Sequence, residues 1–299
     1  MENIMLSKQK SFDKLGPVGK LYLVPTPIGN LQDMTFRAVA QLSEADVIAS
    51  EDTRNTQKLL NHFEITTPQI SFHDHNYRER IPELIRRMEA GEVIAQVSDA
   101  GMPSISDPGH ELVVACAEQG IPVIALPGAT AGVTALVASG LPADRFTFYG
   151  FLPRKKNEQI AALEKLAYKK ETLIFYESPY RVKATFANIA TVFGKDRSVV
   201  LCRELTKLHE EYLRGTADEL AEYLKENDIK GECCILVEGT TEEAHNPDEL
   251  EWETLTVVEH VENLISEEDI SSKEAIKKVS KLRNLKKQDV YAAYHKDNN

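Results

Sequence analysis

The chain has 299 residues, and its 47 acidic and 35 basic side chains give a formal net charge of −12. Hydrophobic residues make up 42 % of it, which is enough to form folded cores and excludes a wholly disordered protein. At about 150 residues per domain, this length predicts two domains. No segment approaches the ~18 apolar residues of a membrane-spanning helix, so we expect no membrane contact. Residues 1–19 lack the apolar run of a signal peptide and are predicted to be a flexible arm.

The chain contains four cysteines, and no two of them have the spacing of a zinc site or a disulfide framework. This usage favours a reducing compartment, so we expect a cytoplasmic protein in which Cys116 and Cys202 are buried. The histidines His73, His75 and His110 are scattered without ligand spacing. The sequence therefore predicts no metal site.

Residues 20–138 alternate apolar runs with helical patterns and are assigned to an N-terminal α/β domain. The predicted strands are 21–27, 46–50, 92–100 and 121–128, and the predicted helices are 33–45, 80–91 and 110–120. This order of elements predicts a largely parallel sheet that is covered on both faces.

Residues 139–241 show a second series of strands and helices and are assigned to a C-terminal α/β domain. The predicted strands are 144–152, 171–179, 198–205 and 231–239, and helices are predicted at 181–194 and 216–227, with a further lysine-rich helix between the first two strands. The predicted fold class is therefore α/β, with two α/β domains, a cleft between them and a small helical extension.

The extension, residues 242–299, separates its charges along the chain. Residues 242–269 hold eleven acidic residues and no lysine or arginine, and seven basic residues then fall within residues 273–287. We predict an acidic linker followed by a basic helix, because Ile276, Val279, Leu282 and Leu285 recur every three residues. Two interpretations stay open: a helical cap with a solvated basic face, or a helix-turn-helix-like element that binds phosphates. Because of the second, the acidic total does not exclude a nucleic-acid partner.

Four loops follow the predicted strands of the first domain, at the sheet edge where α/β proteins bind ligands. They span residues 24–33, 50–56, 97–111 and 126–142, and all are rich in glycine, proline or small polar residues. The third is the strongest signal, because its aspartates, serines and glycines offer carboxylates and backbone N–H groups to a polar ligand. Asp107 within it is explained as the start of a helix. A glycine-rich dinucleotide motif is missing, which argues against a nicotinamide oxidoreductase.

The ordered motifs VPTPIGN, SEDTR, SDAGMPSISDPG, LPGATA, GFLPRK, FYESP and CRELTK resemble the tetrapyrrole-methylase superfamily of S-adenosylmethionine-dependent methyltransferases. Within it, the sequence is similar to the family of small-subunit ribosomal RNA (cytidine-2′-O)-methyltransferases over about residues 20–240, and the basic tail resembles that family's C-terminal extension. Pro25 stands where that family more usually has glycine.

The resemblance implies S-adenosylmethionine as cofactor, bound between the two domains of a homodimer. It implies cofactor contacts at Pro27, Gly29, Ser98, Ala100, Gly101, Met102, Pro103, Ile105, Ser106, Thr130, Ala131, Tyr176, Gly231, Glu232 and Cys233. It also implies 16S ribosomal RNA, naked or in an assembled 30S particle, as substrate.

Methylation of a ribose hydroxyl needs alignment of the reacting atoms and is helped by a general base. The candidate bases are Asp99, Asp52 and Glu177, and we favour Asp99 because it adjoins the predicted cofactor loop. Lys155 or Arg54 could lower the pKa of the hydroxyl or hold a phosphate.

Binding of RNA needs basic side chains, and several lie at strand ends or on the tail helix. The candidate RNA contacts are Arg54, Arg154, Lys156, Arg181, Lys277, Lys278, Lys281 and Lys286. The rival functions are a tetrapyrrole methylase of the same fold, which has no need of these basic segments, and a non-catalytic RNA-binding protein, which has no need of so many small-residue loops.

Overall fold

The computed structural model describes residue 9 and residues 18–241, 255–268, 270–283 and 285–296. The chain divides into two compact units, residues 1–239 and residues 240–299, here called the larger and the smaller unit. Most of the predicted N-terminal arm and residues 242–254 of the predicted linker lie outside the described residues. The domain boundary predicted between residues 138 and 139 falls inside the larger unit and stays a prediction.

The first sheet of the larger unit is entirely parallel, as the alternation of strands and helices predicts. Its order is β3-β2-β4-β1-β5, and each neighbouring pair is parallel. The strands are β1 (Lys20–Leu23), β2 (Val47–Ser50), β3 (Gln69–Ser71), β4 (Val93–Val97) and β5 (Val123–Ala125). All five carboxyl ends therefore meet at one edge, which brings the loops that follow them together.

Helices cover both faces of this sheet, because alternate strand residues point to opposite sides. The helices are α1 (Phe36–Glu44), α2 (Thr53–His62), α3 (Tyr77–Glu89) and α4 (His110–Glu118), and a 3-10 turn spans Leu31–Asp33. Leu21 and Ile94 pack with α3 and α4 on one face, and Val24 and Ala95 pack with α1 and α2 on the other.

The second sheet is mixed rather than parallel. Its order is β6-β7-β10-β8-β9, and only β6 and β7 run parallel. The strands are β6 (Phe146–Phe151), β7 (Thr172–Glu177), β8 (Ser198–Arg203), β9 (Glu211–Thr216) and β10 (Cys233–Val237). The start of β10 lies between the ends of β7 and β8, because Cys233 pairs with Glu177 on one side and with Arg203 on the other.

Helix α5 (Ala131–Ser139) comes before the predicted boundary but packs on the second sheet. Its buried residues Ala135 and Leu136 contact a cluster that includes Ile174 and Leu236. The other face of that sheet is covered by α6 (Lys156–Glu164), α7 (Val182–Phe193) and α8 (Ala217–Glu226). Helix α5 therefore covers one face of the second sheet, although it follows the last strand of the first sheet along the chain.

The smaller unit contains α9 (Val257–Glu268), α10 (Ser272–Leu282) and α11 (Lys287–Lys296). Their common core is formed by Val261, Ala275, Ile276, Val279 and Val290. Helix α10 begins with a capping box in which Ser271 and Glu274 bond each other's backbone. Two expectations are corrected here: part of the acidic segment is a helix, and the basic helix α10 ends at Leu282, before Leu285.

All four cysteines are free and buried, as expected for Cys116 and Cys202. Burial raises the pKa of the Cys116, Cys202 and Cys233 thiols to about 12. Within the described part of the chain, no helix is long and apolar enough to cross a membrane. Among the same residues, no group of three or more histidine, cysteine or carboxylate side chains is placed to hold a metal ion.

Candidate active site

A central cavity of about 320 Å³ lies within the larger unit, where loops from the edges of both sheets meet. That volume falls in the range of small-molecule sites, and most of the lining is apolar, as such sites require. The lining residues are Ile28, Ala100, Gly101, Met102, Ile105, Ser106, Asp107, Thr130, Ala131, Phe151, Tyr176, Glu177, Ser178, Pro179, Leu205, Glu232, Cys233 and Cys234.

The loop after β4 forms one wall of the central cavity and has an unusual backbone. Gly101 has a φ of +77° and exchanges two 3.0 Å backbone hydrogen bonds with Thr26. Ser104 and Ser106 also have positive φ, which costs free energy for residues with a side chain. Gly109 ends the loop with a φ of +146°, and a Cβ there would clash with the Gln96 amide nitrogen. The surrounding contacts therefore hold this loop in one strained shape.

Glu177 lies at the end of β7 and is held by several donors. Its carboxylate accepts hydrogen bonds from the Ser178 N–H and the Thr185 hydroxyl, both at 2.8 Å. It also pairs with the Arg181 guanidinium at 3.2 Å, and its side chain is only 1 % exposed. These partners fix the turn that follows β7, so the side chain acts as an anchor for one cavity wall rather than as an exposed base.

Tyr176, on β7, lines the central cavity and is bonded to α5. Its hydroxyl accepts a hydrogen bond from the Gly132 N–H at 3.0 Å, near the first turn of α5. Burial raises the pKa of this phenol, so it stays protonated at neutral pH. Phe148 and Phe151 pack edge-on against its ring.

A second cavity, of about 260 Å³, is lined by the start of the loop after β4. Ala100 and Gly101 line the central cavity, whereas Ser98 and Asp99 line the second one together with Pro27, Gly29 and Lys58. The Asp99 carboxylate accepts hydrogen bonds from the Asp52 N–H at 3.2 Å and the Asn55 amide at 3.1 Å. Asp99 is exposed and lines this cavity, and the two hydrogen bonds hold its carboxylate in position.

The Asp52 carboxylate is already engaged by Arg54 and is poorly suited to act as a base. It caps α2 by accepting from the Arg54 N–H at 2.8 Å, and it holds the Arg54 guanidinium at 2.9 Å. The side-chain hydrogen bond from Arg54 is the main cause that lowers the pKa of Asp52 to about 2. A carboxylate of that pKa is a weak base at neutral pH. The capping interpretation of this loop therefore describes Asp52 best.

Asp107 lines the central cavity, and sequence reasoning missed it by treating it as a helix start. Burial is the main cause that raises its pKa to about 7, and the negative charge of Glu51 is the second. Glu51 belongs to the loop after β2, and a 3.2 Å hydrogen bond from the Asp99 N–H to its carboxylate links that loop to the one that holds Asp107. A carboxyl group that titrates near neutral pH is suited to proton exchange.

The raised pKa of Asp107 gives a stability prediction. The folded state holds the Asp107 proton up to about pH 7, whereas an unfolded aspartate loses it near pH 4. The wild type should therefore lose stability relative to Asp107→Asn as pH rises through that window. Urea denaturation of both proteins at pH 5 and pH 8 measures the difference in their unfolding free energies. An equal stability difference at the two pH values would contradict the prediction.

The structure brings ten of the predicted cofactor residues to the central cavity: Ala100, Gly101, Met102, Ile105, Ser106, Thr130, Ala131, Tyr176, Glu232 and Cys233. Pro27, Gly29 and Ser98 line the second cavity instead. Pro103 is buried, and Gly231 lies against the Glu204 side chain, so neither lines either cavity. Sequence reasoning also missed the apolar walls at Ile28, Phe151 and Leu205, which carry no polar signal.

The predicted RNA contacts divide into exposed and inward-facing side chains. Arg181 faces inward, because its guanidinium donates to the Leu152 and Pro153 carbonyls at 3.0 and 2.9 Å besides pairing with Glu177. These bonds disfavour the predicted role of Arg181 as an RNA contact. The Arg54 side chain is exposed, but its guanidinium is paired with Asp52. On the smaller unit, the exposed candidates are Lys277, Lys278, Lys281 and Lys286.

A third cavity, of about 240 Å³, brings Arg154 and Lys156 together with Arg181 at the start of α6. Both of the first two side chains are exposed. Lys155, which was predicted as a catalytic residue, lies outside the three cavities and pairs with Glu158 at 2.9 Å. The structure thus gives Lys155 no place in the candidate active site.

Comparison with known proteins agrees with the motif resemblance. Residues 20–221 match the family model described as Tetrapyrrole (Corrin/Porphyrin) Methylases. The chain is 52 % identical over 292 residues to the ribosomal RNA small subunit methyltransferase I of Halalkalibacterium halodurans, covering 98 % of this chain and 100 % of that protein. It is 50 % identical over 291 residues to the Bacillus subtilis protein of the same name, covering 97 % and 99 %.

Solved structures with the same fold include other methyltransferases. A cobalt precorrin-4 methyltransferase matches with a TM-score of 0.55 and 21 % identity, over 73 % of this chain and 94 % of that one. A Thermus thermophilus uroporphyrin-III C-methyltransferase, solved with S-adenosyl homocysteine, matches with a TM-score of 0.52 and 21 % identity, over 73 % and 97 %. At this identity the likeness shows the fold alone. Because the family model spans most of its larger unit and full-length relatives match it throughout, the chain belongs to the tetrapyrrole methylase family, in its group of small-subunit ribosomal RNA methyltransferases.

Proposed function

We propose that this chain transfers a methyl group from S-adenosylmethionine to the 2′-oxygen of a cytidine in small-subunit ribosomal RNA, in the cytoplasm. The observation that carries the proposal is its 52 % identity over nearly its whole length to a ribosomal RNA small subunit methyltransferase I. The site supports it, because a cavity for a small cofactor adjoins a second cavity that holds an exposed carboxylate.

The central cavity fits the proposed cofactor in size and chemistry. Ile28, Met102 and Leu205 offer apolar walls for a flat adenosyl group, and Ser106 and Asp107 supply a hydroxyl and a carboxyl for its polar groups. A Cβ at Gly101 would point toward Ile28 at 3.3 Å and narrow this space. When bound, S-adenosylmethionine supplies an activated methyl group on a positively charged sulfur.

The protein's part in the reaction is to position the ribose and to accept a proton. Asp99 is fixed by Asp52 and Asn55 in the second cavity, at the turn that both cavities share. From there its carboxylate can accept the 2′-hydroxyl proton while the central cavity aligns the methyl donor. Alignment itself supplies up to roughly 7–11 kcal/mol of the barrier reduction in well-oriented reactions.

The proposal is tested by transfer of labelled methyl groups from S-adenosylmethionine to RNA. Small-subunit particles from cells that lack this protein, protein-free ribosomal RNA and a uroporphyrinogen are offered separately to the purified enzyme. We expect label on RNA at a cytidine, located by mass analysis of the digested nucleosides, and none on the porphyrinogen. Label on the porphyrinogen alone, or on no substrate, would refute the proposal.

The tail lysines give a prediction for RNA binding. In a variant with Lys277, Lys278, Lys281 and Lys286 replaced by alanine, RNA affinity should fall and cofactor affinity should stay unchanged. Each lost phosphate contact should lower the salt dependence of RNA binding by about 0.7–0.9 in log–log slope. Titrations of each protein with RNA at several salt concentrations measure the affinity and this slope. A matched variant with alanine at Lys165, Lys169, Lys170 and Lys195 makes the same charge change at other exposed positions. Equal RNA affinity in the two variants would reject the tail contact.

We also propose that the enzyme is a homodimer that pairs through the edge of its second sheet. Strand β6 is an edge strand, and its side chains Phe146, Phe148 and Tyr149 are exposed. Val137 on the neighbouring helix α5 is 74 % exposed, and the first turn of that helix lies beside Phe148. Exposed apolar side chains on an edge strand and on the helix next to it fit a second copy of the chain.

The homodimer proposal predicts the effect of one charge. Val137→Asp should convert the protein from a dimer, with twice the mass of the chain, to a monomer, because it places an unpaired carboxylate in an apolar contact. Light scattering after size-exclusion chromatography measures the mass. Leu208→Asp, at a position 93 % exposed on another loop, is the control and should leave the mass unchanged. A monomeric wild type, or a dimeric Val137→Asp variant, would contradict the proposal.

A further inference from the structure

The turn between β7 and α7 carries an aromatic side chain with no role so far. Tyr180 is 96 % exposed, which is rare for so large a ring. Its backbone is not loose, because the Tyr180 N–H donates to the Ser178 hydroxyl at 3.4 Å and the Arg181 N–H donates to the Ser178 carbonyl at 2.9 Å. The buried Glu177 holds the same turn from inside. The ring is therefore presented to solvent by a fixed backbone.

The position of Tyr180 relates it to two cavities. Pro179, on one side of it in the chain, lines the central cavity, and Arg181, on the other side, lines the third cavity. The Cα atoms of those neighbours lie less than about 8 Å apart, since each trans peptide spans 3.8 Å. Arg154 and Lys156 add two exposed positive charges at the third cavity. An exposed ring thus stands between the candidate reaction site and a basic surface.

Single-stranded RNA is bound by this combination of features. Basic side chains contact its phosphates, and exposed aromatic rings stack on bases that are turned out of a helix. We propose that Tyr180 is a stacking platform for a base of the substrate RNA next to the methylated nucleotide, with Arg154 and Lys156 on the neighbouring phosphates. This inference rests on the proposed function, and it assigns a positioning residue for the RNA, not a catalytic one.

The test compares Tyr180→Ala, Tyr180→Phe and Tyr180→Leu with the wild type. Methylation of small-subunit particles is measured at saturating S-adenosylmethionine and varied particle concentration. We expect the KM of Tyr180→Ala to rise about tenfold with little change in kcat, since a stacked base is lost. Phenylalanine should restore the wild-type KM because it keeps the ring, and leucine should not. Tyr223→Ala, at an exposed position on α8, is the matched control and should behave as wild type.

The outcomes separate this inference from the proposed function. If the wild type methylates no RNA, the proposed function fails. If the wild type methylates RNA but Tyr180→Ala keeps its KM, the stacking inference fails alone. A phenylalanine variant as weak as the alanine variant would also overturn stacking, because the ring is present in it. Thermal unfolding midpoints of the Tyr180 variants should equal that of the wild type, since the side chain is 96 % exposed.

Discussion

Replacing Asp99 by asparagine is expected to lower the rate constant of RNA methylation by about 10²–10⁴-fold, the usual contribution of a general base. Asparagine has the same shape, and it can still accept a hydrogen bond from the Asp52 N–H or the Asn55 amide. It cannot take a proton from the 2′-hydroxyl. The measured quantity is the single-turnover rate of methyl transfer to small-subunit particles.

Asp52→Asn is the matched control for this experiment. Asparagine caps helices as well as aspartate does, so α2 should keep its start. Since the pKa of Asp52 is already lowered to about 2 by Arg54, its loss should change the rate by no more than a few-fold. Cofactor affinity should be unchanged in both variants. A wild-type rate in Asp99→Asn would remove Asp99 from the mechanism.

A pH profile distinguishes Asp99 from Asp107 as the proton acceptor. If Asp107 were the base, kcat/KM should rise with an apparent pKa near 7, and that step should vanish in Asp107→Asn. If Asp99 is the base, Asp107→Asn should retain the rate apart from any loss in cofactor binding. The two carboxyl groups can thus be assigned without a substrate complex.

Removing the Glu177 side chain is expected to cost about 3 kcal/mol of unfolding free energy or more, the range found when one member of a buried pair is deleted. Glu177→Ala leaves the Ser178 N–H, the Thr185 hydroxyl and the Arg181 guanidinium without their shared acceptor. Chemical denaturation followed by circular dichroism measures the loss. The same change should weaken cofactor binding, because the turn after β7 lines the central cavity.

Two variants make the Glu177 prediction specific. Glu177→Gln keeps the size and part of the hydrogen bonding, so its cost should be clearly smaller. Glu158→Ala breaks the exposed pair with Lys155, and exposed pairs contribute only about 0–1 kcal/mol. Equal stability losses in Glu177→Ala and Glu158→Ala would show that burial of the pair has no consequence.

The parallel first sheet could be predicted from the sequence because its strands are buried apolar runs separated by helices. Strand β3 was missed since it has three residues and only half-buried side chains. Strand β9 was missed because an antiparallel edge strand tolerates charge, and the run Glu211–Thr216 reads as an ionic loop. The mixed second sheet was not predictable either, because strand order depends on pairing between distant residues.

The site was predictable where a loop's own composition points to a ligand, as in the segment after β4. It was not predictable where function depends on neighbours from other loops. The raised pKa of Asp107 depends on Glu51 and on burial, and neither is visible in the local motif. The inward course of Arg181 depends on carbonyls of Leu152 and Pro153 that lie almost thirty positions earlier. Such relations follow from the fold and not from spacing along the chain.

The buried thiols of Cys116 and Cys202 can each report when the structure around them opens. Cys116 lies in the core of the first sheet and Cys202 in the layer between α5 and the second sheet, and both side chains are fully buried. A thiol that is buried and protonated is inert toward alkylating reagents until the structure around it opens. Pulsed alkylation with mass analysis of the two peptides would therefore time the opening of each sheet separately.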